Sequence, residues 1–132
     1  PAGEGKEQKE MILGIGTDLV EMERIKKACE KEAFLVRSFT EEERRQAEGK
    51  VPRLAGDFAV KEAVAKALGT GFSDFWLTDI EVLRDGRGKP YVNLYGNAKK
   101  RFEAMGMERL EVSISNTREH AVAFAVGEGE KP

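Results

Sequence analysis

One cysteine, one histidine and no apolar run longer than a few residues narrow the chemistry of this 132-residue chain before any motif is read. A lone Cys29 has no internal disulfide partner. It stands at helical spacing from Met22, Ile25 and Ala28, which predicts a reduced, buried thiol. One histidine and one cysteine exclude metal sites of the Cys/His kind. His120 also has no Gly-x-Ser-x-Gly elbow to serve, which weighs against serine-histidine-acid hydrolysis. Short apolar runs exclude a membrane span, and the opening PAGEGKEQKE has no signal-peptide core. A cytoplasmic protein is the default that follows.

A surplus of either charge is missing too. Lys and Arg number 22 against 24 Asp and Glu, a net charge of −2, so gripping a nucleic-acid backbone is not the main task. Gly14-x-Gly16 is followed by Leu19 where a dinucleotide fingerprint needs glycine, and no Gly-Lys-Ser/Thr makes a Walker loop.

What remains is 40% hydrophobic and 35% charged, enough for one core under a charged surface. The expected layout is a disordered lead-in over 1–10, a single domain over 11–127 and a tail over 128–132. Ile12, Leu13 and Ile15, broken by Gly14 and Gly16, predict a strand that another backbone approaches. Met22, Ile25, Ala28 and Cys29 predict a helix, and Thr40-Glu41-Glu42-Glu43 announces a second through a capping box. Pro52 opens a third, alanine-rich helix that Gly69 ends. Alternation around Ile80–Val82 and Pro90–Leu94, with Asp85-Gly86-Arg87-Gly88 between, predicts a hairpin. A helix through Ala98, Phe102 and Met105 follows, then two strands around a turn at Asn116-Thr117. The fold expected is α+β, in the order β-α-α-α-β-β-α-β-β, with a largely antiparallel sheet packed on helices.

Three places carry chemistry. Asp18 projects a carboxylate where the first strand closes, or else caps the helix after it. Ala55, Ala59, Glu62 and Lys66 share one helical stripe, so Glu62 and Lys66 form either a solvated i,i+4 ion pair or, on a packed face, groups that need a cation and an anion. Two carboxylates with water and phosphate oxygens are a common Mg²⁺ site. Gly69-Thr70-Gly71 is a helix C-cap or a loop whose amides approach a phosphate beside Lys66.

The segments Met11-Ile-Leu-Gly-Ile-Gly-Thr-Asp-Leu-Val-Glu-Met-Glu-Arg-Ile25 and Phe58-Ala-Val-Lys-Glu-Ala-Val-Ala-Lys-Ala-Leu-Gly-Thr-Gly71 resemble the two signature blocks of the holo-[acyl-carrier-protein] synthases. These are the small trimeric members of the 4′-phosphopantetheinyl transferase superfamily. The likeness extends to Asp79-Ile-Glu-Val, Gly88-Lys-Pro-Tyr91 and Val112-Ser-Ile-Ser115, covering about Met11 to Val126. It implies transfer of 4′-phosphopantetheine from coenzyme A to a serine of acyl carrier protein, in fatty acid biosynthesis, with release of adenosine 3′,5′-bisphosphate. It also implies a homotrimer with active sites between subunits. By the same resemblance Asp18 and Glu62 hold Mg²⁺, Lys66 binds phosphate, and Gly69, Thr70 and Gly71 lie beside coenzyme A. Arg24, Phe34 and Arg37 match contacts to the acidic carrier protein. The general base is left open between a metal-bound water and Glu62.

Two departures stand out. Asn116 occupies a place where many members have histidine, and offers an amide to a phosphate or ribose instead of an imidazole; His120 is read as a packing or surface residue. Asp57 stands where many have arginine, which either weakens cofactor binding or shifts the load of the coenzyme A phosphates to Lys61, Lys66 and Arg53. These departures motivate an alternative, a catalytically impaired coenzyme A or nucleotide-binding module; a third reading is a trimeric interaction protein without a ligand.

Overall fold

The structure is a computed structural model and describes residues 9–131. In chain order its elements are β1 (Met11–Glu21), α1 (Met22–Ala28), α2 (Glu32–Ser38), α3 (Glu41–Ala47), α4 (Val51–Ala67), a 3-10 turn (Leu77–Asp79), β2 (Ile80–Arg84), β3 (Pro90–Leu94), α5 (Gly96–Ala104), β4 (Met107–Asn116) and β5 (His120–Gly129). This is the expected succession of strand, helices, hairpin, helix and hairpin, in which the first helical region also holds the short α2. The lead-in over residues 1–8 lies outside the described residues; Glu10 ion-pairs with Arg109, and β5 continues through Gly129.

Helix α4 is the spine. Pro52 sits in its first turn, where a missing N–H costs nothing. Ala55, Ala59, Val60, Ala63, Val64 and Leu68 are all fully buried. Each fully buried valine or leucine contributes roughly 1.5–3 kcal/mol of transfer free energy. The alanines keep the helix narrow, and β1 exploits this. Gly14 and Gly16 on the inner face of β1 meet the carbonyl oxygens of Ala67 and Ala63 so closely that a Cβ at either glycine would overlap them. The strand with a closely approaching backbone is therefore the observed one. The alanine stripe lies inside the chain's own core and is not a surface offered to a neighbour.

Strands β1, β5 and β4 form an antiparallel sheet in the order β1-β5-β4. Its inner face carries Ala121, Ala123 and Ala125 against α4, all buried. A period of two then puts Ile15, Leu19 and Phe124 outward, 68%, 63% and 55% exposed. β2 and β3 make a separate antiparallel pair.

Side chains of α3 finish the outer edge of that second sheet. The capping box read from Thr40 and Glu43 is present: Thr40 Oγ1 accepts from the Glu43 N–H, and the Thr40 N–H donates to Glu43 Oε1 at 2.8 Å. Glu43 Oε2 also accepts from the Val82 N–H at 2.7 Å. One turn on, Gln46 accepts from the Arg84 N–H at 2.9 Å and donates to the Arg84 carbonyl at 3.0 Å. Cys29 is half-buried, and burial pushes its thiol pKa up.

Candidate active site

Asp18 lies within β1, not at a helix cap. The strand runs on to Glu21, and α1 begins with no side-chain cap. Asp18 shares the inner-face parity of Gly14 and Gly16, so its carboxylate is directed to the side where α4 passes. Lys66, in the last turn of α4, reaches back across this gap. Its Nζ donates to the Thr17 carbonyl at 2.8 Å and to Asp18 Oδ1 at 3.2 Å, linking residues 48 positions apart. The ammonium is about half exposed and has a third proton for a ligand.

Glu62 completes the group from one turn earlier in α4. Burial, then the negative charge of Asp18, push its carboxyl pKa up, while Lys66 pulls it down. Two carboxylates that repel each other beside a single lysine form a site short of positive charge. Among the described residues no three acidic, histidine or cysteine side chains converge. Asp18 and Glu62 are two carboxylates that could hold a hard divalent cation whose other ligands are water and phosphate oxygens.

The loop after α4 starts at the same end. Gly69 and Gly71 adopt φ of +79° and +61°, values that disfavour a side chain. The Gly69 N–H bonds the Lys66 carbonyl and the Gly71 N–H the Ala65 carbonyl, so the C-cap is real and its amides are engaged with the helix. Arg101 of α5, which sequence reasoning missed, donates its Nε to the Leu68 carbonyl at 2.9 Å and brings a guanidinium beside Gly69. No local pattern links positions 68 and 101.

Other residues lie apart from this cluster. Asn116 ends β4, donates to the Pro52 carbonyl at 3.3 Å, and pairs across from Ala121, whereas Asp18 pairs with Ala123. It is thus two strands and two rungs away from Asp18, roughly 12 Å by sheet spacing. Asp57 and Lys61 are both buried. Asp57 is paired with Arg84, and Lys61 with Glu43 at 2.8 Å. The expectation that Lys61 takes up phosphate load is corrected by this burial: its ammonium is already fully used.

Arg24, Phe34 and Arg37 lie close together. They line one cavity of about 410 Å³ with Lys27, Ala28 and Lys31, four cations around an aromatic floor. The Arg37 guanidinium stands 6.0 Å from the Phe34 ring centroid.

A family model described as the 4′-phosphopantetheinyl transferase superfamily matches residues 14–125. The chain belongs to that superfamily. It is 50% identical over 118 residues to the holo-[acyl-carrier-protein] synthase of Lachnoclostridium phytofermentans, covering 89% of this chain and 97% of the relative. It is 45% identical over 124 residues to the synthase of Clostridium tetani, covering 91% and 98%. Among solved structures, the synthase from Neisseria meningitidis superposes with a TM-score of 0.81 at 37% identity, over 89% of this chain and 98% of that one. The Helicobacter pylori synthase in complex with coenzyme A gives 0.77 at 31% identity, over 86% and 98%. Among the described residues no helix is long and apolar enough to cross a membrane.

Proposed function

We propose that this superfamily enzyme transfers 4′-phosphopantetheine from coenzyme A to a serine of apo-acyl carrier protein, with Mg²⁺, and releases adenosine 3′,5′-bisphosphate. The observation that carries this reading is the meeting of Asp18, Glu62 and Lys66 between β1 and α4. The serine oxygen forms a bond to the β-phosphorus of coenzyme A, the bond from that phosphorus to the bridging oxygen breaks, and adenosine 3′,5′-bisphosphate leaves. The serine proton passes to a base. Glu62 is one candidate for that base.

Lys66 directs its free proton at a phosphate oxygen while Thr17 and Asp18 hold the other two, so it binds charge without having to be oriented first. Asp18 and Glu62 would hold Mg²⁺, which supplies neutralisation of the diphosphate charge. Gly69, Thr70 and Gly71 place a side-chain-poor loop next to Lys66, leaving room for coenzyme A. The basic cavity of Arg24, Lys27, Lys31 and Arg37 suits an acidic carrier protein.

The outer sheet face supports a reading of assembly. Ile15, Leu19 and Phe124 form an apolar patch around Thr17, bordered on β4 by Ser113 and Ser115, and such a face calls for a partner. A homotrimer that covers it, with active sites between subunits, lets Asn116 serve a neighbour's coenzyme A rather than its own chain's cluster. The setting proposed is cytoplasmic fatty acid biosynthesis.

The test is the mass of an apo-acyl carrier protein incubated with the enzyme, coenzyme A and Mg²⁺. A phosphopantetheine-sized gain that chelator or Glu62→Ala abolishes supports the transferase. Coenzyme A binding without that gain would instead favour a module that has lost transfer.

A further inference from the structure

Lys61 immediately precedes Glu62, and successive side chains of a helix stand about 100° apart, so whatever fixes one fixes the other. Lys61 is wholly buried. Its ammonium donates to Glu43 Oε1 at 2.8 Å, to the Leu77 carbonyl at 3.0 Å and to the Ile80 carbonyl, with the Phe39 ring centroid 5.7 Å away. All three protons are spent, on acceptors from α3, the 3-10 turn and β2. Glu43 is equally committed, since its carboxylate also takes the Thr40 and Val82 N–H groups.

Stability alone does not account for this arrangement. Replacing a buried ion pair by apolar groups of similar volume is often neutral or stabilising. A methionine would fill the space of Lys61 and carry none of its directional bonds. The lost property would be direction. The contacts of Gly14 and Gly16 set how close α4 comes to β1. Close packing of small groups resists approach but resists rotation and sliding less. Hydrogen bonds from one ammonium to α3 and to two carbonyls of the Leu77–Ile80 stretch define a single rotation.

We propose that Lys61 is a positioning residue, anchored by Glu43 and two main-chain carbonyls so that α4 is held at the rotation where Glu62 faces Asp18. This rests on the reading of Asp18 and Glu62 as a cation-holding pair.

The experiment compares the parent with Glu43→Gln/Lys61→Met, which removes both buried charges together, and with Lys61→Arg, which keeps a cation opposite Glu43 but replaces the three bonds of one ammonium by a planar fork. Urea unfolding reports folding, electron paramagnetic resonance reports Mn²⁺ binding in the presence of coenzyme A, and transfer assays give kcat and KM. The double variant is expected to weaken Mn²⁺ binding and lower kcat at least tenfold, with KM for carrier protein within twofold. Lys61→Arg is expected to give about a threefold loss of both Mn²⁺ affinity and kcat, and it carries the test if the double variant does not fold. Folded variants with Mn²⁺ affinity and kcat within twofold of the parent would overturn the positioning role. Glu62→Ala is the separate control: undiminished Mn²⁺ binding there sinks the cation reading and this proposal with it.

Discussion

Gly16 of β1 faces the Ala63 carbonyl of α4 at a distance that leaves no room for a methyl group. Two residues further along the same strand lies Asp18, and one residue before Ala63 lies Glu62. The closest approach of strand and helix is therefore also the place where the two carboxylates are brought together.

Gly16→Ala should push α4 away from β1. Overpacking of this kind costs about 1–3 kcal/mol, read as a shift in the urea midpoint. Transfer activity of the folded fraction should fall at least tenfold. A variant as active as the parent would show that the strand-helix distance does not govern the site.

Lys66→Met removes a half-exposed cation, so stability should change by less than about 0.5 kcal/mol. Its loss at a transferring phosphoryl group should lower kcat about 100-fold or more. An equal loss of stability and activity would assign Lys66 a structural role instead.

Burial pushes the Asp57 pKa up to about 6 against the opposing pull of Arg84. Above its unfolded value of 3.8 the folded state therefore holds a proton that the unfolded chain has lost. Asp57 is thus expected to reduce stability progressively as pH rises from about 4 to about 6, by something of the order of 3 kcal/mol, with no further change above. Urea titrations at several pH values should show that slope in the parent and lack it in Asp57→Asn. Parallel curves would refute the assignment.

Arg24→Glu places a negative charge in the basic cavity. KM for the acidic carrier protein should rise about tenfold or more, and KM for coenzyme A should stay within twofold. Equal carrier KM values for parent and variant would remove Arg24 from the docking surface.

Phe124 is exposed in the single chain, so Phe124→Asp should leave the fold intact. Sedimentation at several concentrations should then give a third of the parent mass. An unchanged mass would mean that subunits meet elsewhere.

Legibility in the sequence followed the range of the interactions. The capping box of Thr40 and Glu43 spans three positions and could be read directly. So could the glycines of β1, because an interrupted apolar run signals a close neighbour even when that neighbour is unknown. Asp18 was ambiguous between cap and site because nothing near it says that pairing with β5 carries β1 on to Glu21. Lys61 was misplaced for a similar reason. A lysine in a helix reads as a solvated cation, and its counter-charge Glu43 lies 18 positions away on another helix. The alanine stripe of α4 has the composition of an interface, yet only the sheet's register shows that β1 and β5 already cover it.

The bonds from α3 to β2 have a bearing on solubility. An edge strand ordinarily exposes a row of donors and acceptors that can template another chain. Here Gln46 bonds both main-chain groups of Arg84, and Glu43 takes the Val82 N–H, so helix side chains stand in for the missing strand. β2 is closed to edge-to-edge recruitment without proline, bulge or exposed charge.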